Sequence, residues 1–192
     1  MTFNSAIHHR KSIRLKEYDY SQNGAYFITI CANDREYLFG EINAGTNAHA
    51  DAGKMVDQQW NELSNRFQNI QLDEYVVMPN HLHGIIIIVG APLVGAHSIP
   101  TVIPTVAPTV APTVAPTIGD IVGAFKSITT HEYIIGVKNN NWPEFNKKLW
   151  QRNYYEHIIR NEKSLNKIRE YIINNPFKWD TDRNNPVNFV KK

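Results

Sequence analysis

His81-Leu82-His83 is the first place in the sequence where residue type and spacing point to chemistry. In a β-strand the side chains alternate with a period of 2, so both imidazoles leave one face while Leu82 enters the other. Their Cα atoms then lie ~7 Å apart, close enough for the two rings to converge on one metal ion. With 8 His among 192 residues, about 0.3 such pairs arise by chance, so the pair alone also reads as coincidence. Its position gives it weight. It opens the run Gly84-Ile-Ile-Ile-Ile-Val89, which is otherwise core material, and polar groups buried there need a reason.

Tyr171 and Asn175 form the second constellation. They are four apart on an expected helix, so they stack on one flank beside a stripe of Leu165, Ile168 and Ile172. A phenol and an amide side by side could be a nucleophile and an auxiliary metal ligand. Equally, they could be a core tyrosine whose hydroxyl reaches water and a C-terminal cap. Two further stretches mix charge and aromaticity. Arg152, Tyr154, Tyr155, His157 and Arg160 suit phosphate contact and base stacking, or a half-exposed strand. His8, His9, Arg10, Lys11, Arg14 and Lys16 make a basic arm that can track phosphates or simply be solvated.

The elements that must position these groups follow from local pattern. Tyr26–Ala32 is rich in β-branched and aromatic residues and reads as a strand. The segment 52–67 has helical apolar spacing at Met55, Val56, Trp60, Leu63 and Phe67, with Asp51 as its cap. Ile70–Met78 and His81–Val89 read as an antiparallel hairpin closed at Pro79-Asn80. A helix is expected over Ile118–Ile135, begun near Asp120 and ended at Gly136. Leu149–Ile159 reads as a strand, and a last helix over Glu162–Asn174 is capped by Asn161 and stopped by Pro176. In order this is β-α-β-β-α-β-α, an α+β fold with a ferredoxin-like, RRM-like antiparallel sheet and helices on one face. Pro100, Pro104, Pro108, Pro112 and Pro116 recur in Pro-Thr-Val-Ala units, so about 91–117 is expected to be an extended linker inserted in a single domain spanning 1–192.

Composition sets the outer limits. Hydrophobic residues at 42% exclude a fully disordered chain. The net charge of +2 excludes a polybasic binder, so any nucleic-acid site must be a local patch. The single cysteine, Cys31, excludes an internal disulfide and a cysteine zinc cage. The N-terminus has no apolar signal region and the longest apolar run is far below the ~20 residues of a membrane span, so the expected setting is the cytoplasm, away from membranes.

Together these stretches resemble the REP-associated tyrosine transposases, in the single-tyrosine branch of the HUH endonuclease superfamily. The resemblance rests on Ser12-Ile-Arg-Leu-Lys-Glu-Tyr-Asp-Tyr20, Val76-Val-Met-Pro-Asn-His-Leu-His-Gly84, Gly119-Asp-Ile-Val-Gly-Ala-Phe-Lys-Ser127 and Leu149 through Trp179. Pro-Asn-His-Leu-His-Gly, followed some ninety residues later by Tyr-Ile-Ile-Asn-Asn-Pro, is specific as a combination. The resemblance implies His81 and His83 as ligands of Mg²⁺ or Mn²⁺, Asn175 as third ligand and Tyr171 as nucleophile. It also implies a ferredoxin-like fold and hairpins of single-stranded DNA as substrate, cut and rejoined through a 5′-phosphotyrosine. One tyrosine per chain means that two cleavages need a second round or a homodimer. Arg10, Lys11, Arg14, Lys16, Arg152, Tyr154, Tyr155 and Arg160 are the expected DNA contacts, with Tyr154 and Tyr155 as rival nucleophiles. Two other functions fit parts of the pattern: a hairpin-binding protein that does not cleave, and a zinc-dependent hydrolase drawing on Asp73 or Glu74.

Overall fold

The structure, a computed structural model, describes residues 19–89 and 116–188. The expected basic arm, with Arg10, Lys11, Arg14 and Lys16, and the Pro-Thr-Val-Ala repeat up to residue 115 lie outside the described residues.

The elements run β1 (Gly24–Cys31), β2 (Gly40–Asn43), β3 (Thr46–His49), α1 (Asp51–Asn61), α2 (Leu63–Arg66), β4 (Ile70–Met78), β5 (His81–Ile88), α3 (Ile118–Asn140), β6 (Tyr155–Ile159) and α4 (Glu162–Ile173). The main sheet is four-stranded and antiparallel in the order β4-β5-β1-β6. Its β1-α1-β4 and β5-α3-β6 halves interleave, which is the split β-α-β arrangement of a ferredoxin-like fold. Among the described residues, no helix is long and apolar enough to cross a membrane.

Strand alternation sorts the core into two layers. Tyr26, Ile28 and Ile30 of β1 and Leu82, Ile86 and Ile88 of β5 pack with Val56, Trp60, Ile121, Val122 and Phe125 of α1 and α3. Phe27 and Ile85 point the other way, onto Ile159, Leu165, Ile168 and Ile172. The expectation of helices on one face therefore holds for α1 and α3 only. Helix α4 lies on the opposite face, because its apolar stripe finds Phe27 and Ile85 there. That placement sets the site, since His81 and His83 share the face of Ile85.

Several boundaries differ from the sequence reading for identifiable reasons. Asp51 is the first residue of α1 and pairs with Lys54 at 2.8 Å instead of capping the helix. Helix α3 runs past Gly136, whose bare Cα lets the Trp142 ring close in; a Cβ there would be 2.2 Å from the indole. It ends where Asn141 turns left-handed at φ 56°, and the N–H of Trp142 donates to the Gly136 carbonyl at 3.3 Å. The expected strand over 149–159 keeps only Tyr155–Ile159, because the carbonyls of Gln151, Arg152 and Asn153 accept from Lys126 Nζ (3.0, 3.4 and 3.2 Å). The hairpin β2-β3 was not expected: its strands are four residues long and mostly polar, and the one signal is the turn Ala44-Gly45, both at positive φ.

Gly84 lies beneath the buried Trp60, and a Cβ at that position would sit 2.3 Å from the indole Cζ2. Gly84→Val is expected to cost about 2–3 kcal/mol through overpacking, measured by urea unfolding. Unchanged stability would mean that Trp60 is free to move aside.

Candidate metal and nucleophile site

The register of β5 against β1 sets His83 opposite Thr29 and His81 opposite Cys31, both inside the sheet. Asn80, at the hairpin turn, donates through Nδ2 to the carbonyls of Arg35 (3.1 Å) and Asn184 (2.9 Å). That fixes the amide, so its Oδ1, 2.8 Å from His81 Nδ1, accepts from the ring. His81 Nε2 is left with its lone pair facing the site. His83 is held through Nδ1, 2.8 Å from the Thr29 hydroxyl, a group that can donate or accept. The two Nε2 atoms are 3.1 Å apart. Trp179 stacks against His81 (centroids 6.0 Å, 29°) and Phe27 against His83 (5.4 Å, 28°).

Both rings are completely buried, and burial disfavours their charged forms. His81 is pushed down to about 3 by burial, helped by the nearby Arg35 and Arg183. His83 is also driven well below its ordinary value, by burial first and then by His81, with Asp182 pulling the other way. Neutral imidazoles whose Nε2 atoms converge on one point are what a metal ion requires.

Helix α4 brings in the other partners. Asn161 caps it by accepting from the Ser164 N–H at 2.8 Å, and the stripe Leu165, Ile168, Ile172 presses it on the sheet. Tyr171 then places its hydroxyl 3.2 Å from His83 Nε2, with its ring edge-on to Phe27 (6.0 Å, 86°). It is 37% exposed, so a large substrate can reach it. Its hydroxyl is held above its ordinary value by burial and by Asp182; Arg183 and a hydrogen bond from Asn175 act against this.

Asn175 follows one turn later and is 1% exposed. It is not the C-terminal cap of α4, a position that Asn174 holds. Its Nδ2 donates to Asp182 Oδ2 at 2.9 Å, while its buried Oδ1 has no hydrogen-bond partner among the described residues. Asp182 is the residue that sequence reading missed. Pro176 opens a 3-10 helix over Pro176–Thr181 instead of simply ending α4, and this turns the chain back so that Asp182 faces the histidines. Ligand atoms of His81, His83 and Asp182 all lie within 4.8 Å of one another. Two neutral imidazoles, a carboxylate and an orphaned amide oxygen fit a divalent cation.

The rival tyrosines separate. Tyr154 packs toward the core on the α3 side, under Lys126, whereas Tyr155 stays on the site face with its ring edge-on to Phe27 (6.2 Å, 69°). Arg152 and Arg160 are exposed on the surface. The arginines that line the cavities beside the site are Arg35 and Arg183, which carry no sequence signal. One such cavity, about 410 Å³, is walled by Tyr171, Asn175, Lys178, Asp182, Arg183 and Tyr155 among others.

Asp73 is occupied elsewhere. It sits where β4 bulges between Leu72 and Tyr75, and it accepts two hydrogen bonds from Arg169 (2.8 and 2.5 Å), two residues before Tyr171. Arg169 holds the Asp73 carboxyl below its ordinary range. A depressed carboxyl contributes stability above its unfolded pKa of ~3.9, which is lost as pH falls through the folded value. Asp73→Asn should therefore lower the melting temperature at pH 7 by a few degrees, the gap closing below about pH 4. A gap independent of pH would assign the loss to packing.

No family model matches the sequence. An uncharacterized protein of Haemophilus influenzae is 43% identical over 184 residues, covering 94% of this chain and 96% of the relative. Among solved structures, a REP-associated tyrosine transposase bound to a REP hairpin superposes with a TM-score of 0.55 at 19% identity, over 87% of this chain and 74% of that one. A transposase-like protein of Deinococcus radiodurans aligns at a TM-score of 0.46 and 15% identity, over 85% and 97%. The chain thus belongs to the family of the Haemophilus influenzae protein, on the α+β fold that it shares with the REP-associated tyrosine transposase.

Proposed function

We propose that the protein is a metal-dependent tyrosine transposase that cleaves and rejoins single-stranded DNA at hairpin sites. The observation that carries this reading is the Tyr171 hydroxyl 3.2 Å from His83 Nε2, beside a histidine pair whose Nε2 atoms are 3.1 Å apart. His81, His83 and Asp182 would hold Mg²⁺ or Mn²⁺, with the unpartnered Oδ1 of Asn175 as a further ligand. When bound, such an ion neutralises charge on the scissile phosphate and favours a nearby phenolate.

The rest of the reaction belongs to the chain. A phenol with a pKa of about 10 or more is a weak nucleophile, and burial beside Asp182 makes Tyr171 weaker still until positive charge offsets it. Tyr171 Oη attacks phosphorus; the O–P bond forms as the P–O3′ bond breaks, and the 3′-oxygen leaves with the electron pair and takes a proton. The phenol proton passes to water, which Tyr171 meets over its exposed third. The 5′-phosphotyrosine keeps the bond energy, so another 3′-hydroxyl can reverse the step without ATP. An open single strand gives the in-line approach that a stacked duplex denies.

Asp182 also favours a second reading, because two His and a carboxylate are the ligand set of many hydrolytic zinc sites. One assay separates the readings. Labelled hairpin DNA with single-stranded flanks, incubated with Mn²⁺, should give a protein–DNA adduct that survives detergent and is lost with EDTA. The same sequence as duplex should give none. A nick without adduct supports the hydrolase, and binding without a nick supports a non-cleaving hairpin binder.

A further inference from the structure

A second cavity of about 520 Å³ adjoins the first, and Tyr155 and Arg183 line both. Its other walls include Arg35, Gln151, Asn153 and Asn184, and among the described residues no carboxylate lines it. The Tyr155 ring is 45% exposed, and the Arg183 guanidinium lies 5.5 Å from its centroid. Among the described residues the Arg183 side chain makes no hydrogen bond or ion pair, although it stands at the junction of the two cavities. The main chain that carries two of the amides is held in place, and Gln151 Nε2 donates to the Ala32 carbonyl at 3.2 Å. Lys126 pins the carbonyls of Gln151, Arg152 and Asn153 (3.0, 3.4 and 3.2 Å). Asn184 Oδ1 accepts from Arg35 Nη1 at 2.9 Å, while its buried Nδ2 has no acceptor among the described residues.

An aromatic face, planar amides, positive charge and an unused buried donor describe a site for a flat, hydrogen-bonding, anionic ligand. The volume falls in the range of ~300–1,000 Å³ that small organic ligands occupy. We infer that this cavity takes one unstacked nucleobase of the single-stranded substrate, next to the phosphate that Tyr171 attacks. Tyr155 stacks on the base, Gln151, Asn153 and Asn184 read its edge, and Arg183 holds the phosphate on the wall between the cavities. The inference rests on the nuclease reading of Tyr171. It makes Tyr155 a base-stacking residue of the substrate site.

The test is equilibrium binding by fluorescence anisotropy in EDTA. The probe is a fluorescein-labelled hairpin oligonucleotide, selected by binding from a pool with randomised single-stranded flanks. A matching set carries an abasic site at each flank position in turn. Wild-type protein should lose about 10-fold or more in affinity at one position adjoining the cleaved bond. Tyr155→Ala should weaken the intact oligonucleotide by the same factor, show no further loss at that position, and keep the wild-type losses elsewhere. Tyr155→Phe should restore the wild-type pattern. Equal abasic losses in wild type and Tyr155→Ala at every position would overturn the inference. Adducts with Mn²⁺ are scored in parallel. Adducts together with equal losses sink the base pocket alone, whereas a Tyr155-dependent position without adducts sinks the nuclease reading and leaves a base-binding pocket.

Discussion

Tyr171→Phe should abolish covalent protein–DNA adducts, lowering their rate by about 10³-fold or more, as expected when a nucleophile is deleted. The rest of the molecule should hardly notice. The ring keeps its edge contact with Phe27 and its place beside His83. Only a hydroxyl on a partly exposed side chain is lost, so stability should change by less than ~1 kcal/mol and hairpin affinity by no more than a few-fold. Tyr155→Phe is the matched control and should keep its adducts, because that ring lies on the edge strand with no amide one helical turn away. A Tyr171→Phe protein that still forms adducts would remove the nucleophile from this site altogether.

The second large effect concerns the histidine pair, and it can be read without any reaction. An ion that binds only the folded state raises its stability by RT ln(1 + [L]/Kd), about 2.7 kcal/mol at a hundredfold excess over Kd. Wild-type protein should therefore melt higher in Mn²⁺, and calorimetry should show one ion per chain. His83→Ala removes a buried ligand and the partner of both the Thr29 hydroxyl and His81 Nε2. It should lose the Mn²⁺-dependent rise entirely and at least ~10³-fold of adduct formation. Asp182→Asn keeps the shape but removes the anion, so its affinity should fall about 10–100-fold. If His83→Ala melted as much higher in Mn²⁺ as the wild type does, the ion would bind elsewhere.

The parts of this site that depend on short-range pattern were legible in the sequence. Period 2 puts His81 and His83 on one face of β5, and Asn161 with Leu165, Ile168 and Ile172 defines α4. What was not legible arises from chain return. Asp182 reaches the histidines only because Pro176 opens a 3-10 helix, a turn with no hydrophobic period to announce it. Arg35 and Arg183 meet at the site although 148 residues separate them, joined by the hydrogen bond from Arg35 Nη1 to the Arg183 carbonyl. The side of the sheet that α4 covers was equally hidden, because an apolar stripe does not say which of two apolar sheet faces it will meet. Tyr154 and Tyr155, equivalent as a dipeptide, part across the edge strand, which leaves Tyr155 alone on the site face.

The most direct test is to map the adduct. After reaction with labelled hairpin DNA, nuclease trimming and trypsin digestion, mass spectrometry should find a nucleotide phosphate on the peptide 170–178, at Tyr171. The same modification on the peptide 153–160, at Tyr154 or Tyr155, would contradict the account.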